Sequence, residues 1–513
     1  MIRTAFTAIA LFVTTPALAQ SSIDTSTPVT AETEQVGTQF MVFDTGIEGP
    51  GAEGRAHDQF LRGLALLHNF EYGRAAAAFR ASQKAAPDFV MAYWGEAMTH
   101  NHPLWEEQNL EAAQAILARL GATPEARRAK ARNSREAMWL DAVETLYGDA
   151  GTKEERDHLY LAKMRALHKA DPTDIDARAF TGLAILGTSH GGRNIGIYMQ
   201  AAGVLEPGFM SQGYHPGILH YLIHSYDDPI HAPLGERMAE RYAGVARDAG
   251  HAQHMISHIF HALGDWEASE AANIKAMAAA DAARGMPYYC GHYSEWLVYA
   301  LVQQGKDASA NVEACRQQAG QELASTKRPR TSIAQRSAAT SFARIALYAG
   351  VTSGGWANGF DWPEDQFRRA QFQMANARLL QARDDAAAAA EALEDMKRVH
   401  EGILAVLPTE YPDETGLQAW NARAIAQGEA IVMLASGDRD GGLAALRKAA
   451  EAEIALPVVF GPPAIAKPSW ELLGELLLRD GRKKEAAEAF RKALAFAPGR
   501  KLSLEGLAAA DAS

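Results

Sequence analysis

The segment that most constrains the fold is the last one, between Trp470 and Pro498. Small, aromatic and leucine residues recur there at helical spacing, and Gly481-Arg482 interrupts them midway. Small residues allow two antiparallel helices to approach closely, and an aromatic ring fills the gap against the next pair. We therefore predict a helical hairpin that stacks on neighbouring hairpins. Its constrained positions are Trp470, Leu473, Gly474, Leu477, Ala486, Phe490, Ala493 and Pro498.

A similar pattern occurs near the start of the packed chain. Residues 57–66 have an apolar face at helical period, the chain turns over 71–76, and a second helix is predicted over 77–85. A glycine on the first helix is followed by a small residue and an aromatic residue on the second, and then by a proline that ends the helix. These residues are Gly63, Ala75, Phe79 and Pro87.

On these residues the chain resembles the tetratricopeptide-repeat (TPR) superfamily over most of its mature length. The resemblance implies an all-α fold, a right-handed superhelix (solenoid) of TPR-like helical hairpins. Abundant alanine and the scarcity of β-branched runs also favour helix over strand. Four further stretches are predicted turns between paired helices: Gly264-Asp265-Trp266, Gly305-Lys306-Asp307, Arg383-Asp384-Asp385 and Gly437-Asp438.

Two phrases carry a second resemblance, to exported bacterial TPR proteins with a His-rich central region. They are residues 91–98 (MAYWGEAM) and 254–259 (HMISHI). That group has no settled activity, so this resemblance implies no function.

The N-terminus has the features of a cleavable signal peptide. Arg3 precedes an apolar run over 4–15, and Ala17-Leu18-Ala19 is a small-residue cleavage site. We expect cleavage after Ala19 and a periplasmic or secreted protein. The apolar run is too short to span a bilayer, and no other stretch reaches the length that a membrane helix needs. Residues 20–39 have no hydrophobic period and are predicted to be a disordered leader.

Composition limits the partners and the covalent links. The net charge is −12 with both signs mixed along the chain, and no basic block suggests nucleic acid. Cys290 and Cys315 are the two cysteines, and an oxidising compartment would allow them to form one disulfide. The sequence leaves Cys290 open as a metal ligand, a disulfide partner or a buried thiol.

The predicted organisation has five parts. Residues 350–368 form a Gly- and Trp-rich loop, which is a boundary with buried tryptophans or a lid. The parts are 1–19, the signal peptide; 20–55, the disordered leader and entry segment; 56–349, the N-terminal and central TPR-like region; 350–368, the loop; and 369–513, the C-terminal TPR-like region.

Histidine is concentrated between residues 213 and 295. Counted from the turn at 264–266, the four histidines of 251–261 share one arc of about 80° on their helix. The TPR resemblance places that arc on a concave groove. The nine histidines of the region, out of 17 in the chain, are His215, His220, His224, His231, His251, His254, His258, His261 and His292.

Two pairs in this region have the spacing of a metal site. His220 and His224 are four residues apart, and His254 and His258 follow them by 34 residues, one repeat length. A pair four residues apart chelates from one helix, and a second pair completes four nitrogens. Imidazole suits Zn, Cu or Fe. His251 and His292 are further predicted ligands.

No catalytic residue is fixed by a motif. Glu295 and Asp227 are weak candidates for a base, and Asp227 with Asp228 for a carboxylate that orients a ligand. HExxH is absent. Residues 187–191 match the G-x-S-x-G motif, but the preceding segment reads as helix, where a serine hydrolase requires a strand. Residues 100–105 read as a helix terminus or as further ligands reaching the groove.

Two functions therefore stay open. The first is an exported TPR protein that binds a transition metal through a His-lined concave groove, with or without catalysis as a metalloenzyme. The second is a scaffold that binds a peptide or protein in that groove without catalysis, with the histidines tuning binding near pH 6.

Overall fold

Close packing around one aromatic ring defines the first hairpin in the computed structural model. The hairpin consists of α1 (Ala52–His68) and α2 (Tyr72–Ala85), and α3 (Val90–Met98) follows it. A Cβ atom on Gly63 would lie 2.8 Å from the ring of Phe79, and one on Gly95 of α3 would lie 2.3 Å from it. Glycine is therefore needed at both positions, and the predicted hairpin is confirmed.

Helices build nearly all of the chain that the structure describes, which is residues 34–512 except 48, 150, 326–330, 412–415, 458 and 460. After α3 they are α4 (Leu110–Leu120), α5 (Pro124–Arg128), α6 (Ser134–Leu146), α7 (Lys153–Ala170), α8 (Ile175–Leu186), α9 (Ile195–Ser211), α10 (Pro216–Tyr226), α11 (Ala232–Val245), α12 (Gly250–Leu263), α13 (Trp266–Arg284), α14 (His292–Gln303), α15 (Ser309–Ala324), α16 (Ala338–Ser353), α17 (Arg368–Gln381), α18 (Ala386–Glu410), α19 (Gly416–Ala435), α20 (Arg439–Glu453), α21 (Ser469–Arg479), α22 (Lys483–Phe496) and α23 (Lys501–Asp511).

The last hairpin repeats the geometry of the first. A Cβ atom on Gly474 of α21 would lie 2.8 Å from the ring of Phe490 on α22. One on Gly506 of α23 would lie 2.2 Å from the same ring. The same glycine–phenylalanine–glycine packing at both ends of the chain follows from the same sequence spacing.

Helices pack on their neighbours in sequence, and several also pack on the next helix but one. Examples are α8 with α10, α10 with α12, and α14 with α16. The protein is thus an all-α solenoid of TPR-like helical hairpins. The four predicted interhelical turns are confirmed, since helices end before and begin after each of them.

Two long-range contacts bring distant repeats together. α1 packs against α10, where a Cβ atom on Gly217 would lie 2.3 Å from Nδ1 of His68. At the other end, Trp266 at the start of α13 donates a hydrogen bond from Nε1 to the carbonyl oxygen of Gly499, at 2.8 Å. Gln35–Ser513 is one compact unit.

Three local predictions need correction. α2 begins at Tyr72, so the chain turns before residue 71 and not over 71–76. α16 continues to Ser353, which leaves 354–367 as the Gly/Trp loop. Residues 100–105 do not form a plain helix terminus, because β1 (Asn101–His102) pairs with β2 (Glu107–Gln108) in an antiparallel ribbon.

The entry segment is packed rather than disordered from residue 35 onward. Val36, Phe43 and Ile47 are buried, and the backbone N–H of Gln35 donates to Asp248 at 2.8 Å. The predicted signal peptide and the leader up to residue 33 lie outside the described residues.

A disulfide links Cys290 and Cys315, which settles the open role of Cys290. The bridge ties the residue just before α14 to the middle of α15. Within the described residues, no helix combines the length and the apolar character needed to cross a bilayer.

Candidate metal centre

Three helices of the central repeats carry the predicted ligands. α10 carries His220 and His224, and α12 carries His251, His254 and His258. His292 is the first residue of α14. α10 packs against α12, as the repeat spacing predicts. Four of these side chains, His220, His224, His254 and His258, are buried rather than on an open surface.

The six predicted ligands divide into two groups of three. In each group, one nitrogen atom per histidine lies within 4.8 Å of the others. This division differs from the expected set of two pairs around one ion, because each pair lies beside a third histidine, and the third member of the second group comes from the next helix but one, α14. The first group is His220, His224 and His251, and the second group is His254, His258 and His292.

The first group lies beneath the ring of Phe70. Ring centroids are 4.4 Å from Phe70 to His220, 5.9 Å to His224 and 5.4 Å to His251. Phe70 directly follows α1 and has a positive φ of 56°, a conformation that costs a non-glycine residue free energy. The aromatic cover separates these imidazoles from solvent.

His220 is held in the tautomer that a metal ligand requires. Its Nδ1 lies 2.6 Å from the carbonyl oxygen of His68, which can only accept, so Nδ1 carries the proton. Nε2 of His220 and Nε2 of His251 are buried and have no hydrogen-bond partner among the described residues. Burial lowers the pKa of His220 to about 3, so the ring is neutral near pH 7.

The second group places two imidazole nitrogens face to face. Nε2 of His254 lies 3.2 Å from Nε2 of His258. Nδ1 of His254 lies 2.8 Å from Oδ1 of Asn273, and Nδ2 of Asn273 donates to the carbonyl of Ser269, which fixes the orientation of the amide. His254 therefore donates from Nδ1 and presents a lone pair at Nε2.

Asp227 fixes the other ring of this pair. Its Oδ2 lies 2.8 Å from Nδ1 of His258. Burial raises the pKa of Asp227 well above its usual range, and the charged Arg193 opposes that shift. If Asp227 is ionised, His258 donates from Nδ1 and both Nε2 atoms carry lone pairs. If Asp227 is protonated, it donates to Nδ1 of His258, the ring carries its own proton on Nε2, and the line holds one more proton than in the ionised state.

If Asp227 is protonated, a bound cation would replace the proton on Nε2 of His258, and if it is ionised, both lone pairs are already free. Burial lowers the pKa of His258 to about 3 and that of His254 well below its usual range. Neither ring therefore carries a second proton near pH 7. A metal ion accepts both lone pairs and leaves the hydrogen bonds to Asn273 and Asp227 intact.

An aromatic ring also covers the second group. Trp296 lies 4.3 Å from His258, 4.8 Å from His254 and 5.8 Å from His292 between ring centroids. The two groups adjoin each other, with 6.3 Å between the rings of His251 and His254. His292 is the exposed member and lies at the rim.

The remaining predicted candidates lie outside both groups. Glu295 is paired with Arg344 at 3.0 Å. Among described residues, His100 and His102 join no metal-ligating group, and His102 stacks on Tyr72 at 4.0 Å. A helix, α8, precedes the G-x-S-x-G segment, and the hydroxyl of Ser189 donates to the carbonyl of Gly192 at 2.9 Å. That serine is structural.

Sequence reasoning missed a third group, His68, Asp176 and His215, which is fully buried. Oδ1 of Asp176 lies 3.0 Å from Nε2 of His68 and 3.2 Å from Nε2 of His215. It also missed Asn273 and Arg193, whose side chains act through tertiary contacts. Of this third group, only His215 lies in the His-rich region of the sequence, and no sequence pattern indicated His68 or Asp176.

No protein-family model matches the chain, and no curated protein does. Similar solved structures include Naa15/Naa10 bound to HypK-THB, with 13% identity, a TM-score of 0.25 and coverage of 86% of this chain. This chain spans 58% of the length of that one. A monomeric IFIT1 mutant with Gppp-AAAA has 12% identity, coverage of 90% and 98%, and a TM-score of 0.33. The P58(IPK) TPR domain has 12% identity, coverage of 89% and 97%, and a TM-score of 0.20.

The repeated packing of glycine against phenylalanine identifies the architecture from the chain itself. This is a TPR-like helical-repeat protein. Its departure from a plain repeat array is the buried block of histidines on α10, α12 and α14.

Proposed function

We propose that this TPR-like protein binds transition-metal ions at the two three-histidine groups. The observation that carries the proposal is the 3.2 Å contact between Nε2 of His254 and Nε2 of His258, with both Nδ1 atoms engaged by acceptors. The buried and unpaired Nε2 atoms of His220 and His251 support the first group. Buried polar atoms are normally paired, so these atoms indicate a missing partner.

The donor set selects the class of metal. All six ligands are imidazoles, which suit Zn, Cu or Fe and disfavour Mg or Ca. Three protein ligands leave an open coordination position for water or another small ligand. The bound ion would supply Lewis-acid or redox chemistry there. Asp227 orients His258, and we assign it that role rather than the role of a base.

Two features support the compartment that we propose. The cleavable signal peptide predicted at residues 1–19 and the Cys290–Cys315 disulfide both support a periplasmic or secreted location. We propose that the metal is acquired there.

Metal analysis of the mature chain tests the proposal. We expect two equivalents of Zn²⁺, Cu²⁺ or Fe²⁺ after reconstitution and dialysis, measured by elemental analysis. His220→Asn removes the first equivalent, His254→Asn removes the second, and the double variant binds none. His215→Asn is the matched control, because it removes a buried histidine outside both groups and asparagine can still cap α10. No retained metal and no thermal shift with any of the three ions would overturn the proposal.

Binding of a peptide or protein partner is the second candidate. The loop before α14 exposes neighbouring apolar side chains, with Met286 63%, Tyr289 46% and Tyr288 38% exposed. Adjacent exposed apolar residues are typical of contact surfaces. Site-specific cross-linking from position 289 in the native compartment, with the exposed Leu159 as the control position, tests this candidate. Equal cross-linking at both positions would count against it.

A further inference from the structure

A cleft of about 1000 Å³, partly open to solvent, lies between the central repeats and the C-terminal repeats. Its walls come from α12, α13 and α14 on one side and from α19 to α22, with the proline-rich segment before α21, on the other. It is large enough for a ligand of two or three rings. None of the roles described so far uses it.

The walls are mostly aromatic and apolar. The cleft is lined by Trp266 and Tyr299 from the central repeats and by Trp420, Trp470 and Phe496 from the C-terminal repeats. Flat aromatic walls favour flat ligands, since offset-stacked and edge-to-face ring pairs contribute free energy beyond the buried area.

The charges in the cleft exclude most ionic ligands. Asp227 and Glu453 are its charged residues, and neither lysine nor arginine lines it. An anion would therefore find no counter-charge. A cation would find little negative charge, because Arg193 pairs with Asp227 and burial raises the pKa of Glu453 to about 7, which leaves much of that carboxyl neutral. The cleft suits a neutral molecule.

Two polar groups in the wall would recognise a hydroxyl group. Nε1 of Trp470 is a buried donor with no hydrogen-bond partner among the described residues. The Glu453 carboxyl accepts a hydrogen bond from the backbone of Ser469 at 3.0 Å and keeps further acceptor capacity. A phenolic oxygen that reached both groups would accept from the indole N–H of Trp470 and donate to the carboxyl of Glu453.

The cleft also contacts the second histidine group. Asp227 and His258, which are hydrogen-bonded to each other, are among its lining residues. A ligand in the cleft would therefore lie against the ring that holds the proposed metal ion.

We infer that this cleft binds a neutral aromatic molecule carrying a hydroxyl group, a phenol of two or three rings, beside the second three-histidine group. The part of the inference that concerns the metal rests on the proposed function. Binding of the phenol itself does not.

Titration with 2-naphthol, followed by calorimetry and by quenching of tryptophan fluorescence, tests the inference on metal-free and metal-loaded protein. We expect saturable binding of one molecule per chain in both forms. Ala497→Trp fills the cleft wall and should weaken binding about tenfold or more, equivalent to about 1.4 kcal/mol. Ala495→Trp is the matched control, because Ala495 is exposed two residues away and does not line the cleft.

Trp470→Phe tests recognition of the hydroxyl group while keeping an aromatic wall. It should weaken 2-naphthol about threefold to tenfold, as expected for one hydrogen bond, and leave naphthalene unchanged. This variant also carries the test if Ala497→Trp does not fold. Absence of saturable binding, or equal effects of the two alanine variants, overturns the inference. If the chain binds 2-naphthol but retains no metal after reconstitution, the proposed function is wrong and the cleft assignment stands.

Discussion

A pair of buried histidines lies next to a carboxylate at two places in the fold, but the carboxylate contacts different ring nitrogens in each. In the group of His68, Asp176 and His215, the carboxylate lies between the two rings and engages Nε2 of both. In the second group, Asp227 lies at one end and the two Nε2 atoms face each other at 3.2 Å. The arrangement around Asp176 gives both Nε2 atoms a hydrogen-bond partner without an ion. The arrangement beside Asp227 leaves the two Nε2 atoms facing each other.

Histidine density alone therefore does not indicate a metal site. What distinguishes the two groups is where the acceptors lie. An acceptor between two rings uses the nitrogen atoms that a metal would need, whereas acceptors behind the rings leave those atoms free to coordinate.

Removal of Asp176 should have the largest effect. Asp176→Ala leaves His68 and His215 buried without their shared acceptor, and we expect the free energy of unfolding to fall by about 3–5 kcal/mol, measured by urea denaturation. Bound metal per folded chain should stay the same. Loss of metal with unchanged stability would reverse the roles assigned to the two groups.

Removal of the disulfide should have the next largest effect. Cys290→Ala with Cys315→Ala opens a loop of sequence separation 25, which costs about 3 kcal/mol of stability in the chain-entropy model. Because His292 follows Cys290 by two residues, the second group should also lose affinity. Affinity of the first group, measured in the His254→Asn background, serves as the control and should not change.

Asp227→Asn separates orientation from coordination. The asparagine can still accept from Nδ1 of His258 but loses the charge, so we expect metal affinity at the second group to fall about 10-fold to 100-fold, without loss of the site. Competition titration against a chromogenic chelator measures it. An unchanged affinity would show that Asp227 plays no part in positioning His258.

Glu453 has a partly buried carboxyl that accepts a hydrogen bond from the backbone N–H of Ser469. Arg500 and Glu471 also influence it, and its pKa is raised from 4.5 to about 7 by burial. The folded state therefore binds this proton more tightly than the unfolded chain, so stability is lost as pH rises from 4.5 to 7. Glu453→Gln should reduce this loss of unfolding free energy by about 1–2 kcal/mol, a figure that allows for the partial exposure of the side chain. Parallel denaturation curves at pH 5 and pH 8 measure it.

The sequence predicts much of this fold because the repeat is local. Gly474 and Phe490 lie 16 residues apart and must meet if their two helices pair. The turns at 264–266 and 437–438 follow for the same reason, since each connects adjacent helices. The two His pairs on adjacent helices are a consequence of the same period.

The grouping of the histidines could not be predicted, because it depends on contacts outside the period. His68 holds His220 across 152 residues, and Phe70 covers the first group only because α1 meets α10. Repeat spacing also did not predict that Asn273 fixes the tautomer of His254. That contact joins the two helices of one hairpin through an asparagine side chain, which belongs to no sequence pattern of the repeat.

The contact between α1 and α10 has a consequence for the order of folding. Most hairpins in this chain close through neighbours in sequence, which is fast, but the α1–α10 contact must wait until residues 69–215 have been made. Until then His220 lacks the carbonyl that sets its tautomer. Metal capture at the first group should therefore come after the assembly of the intervening repeats. A metal ion bound there would indicate that the N-terminal half has folded.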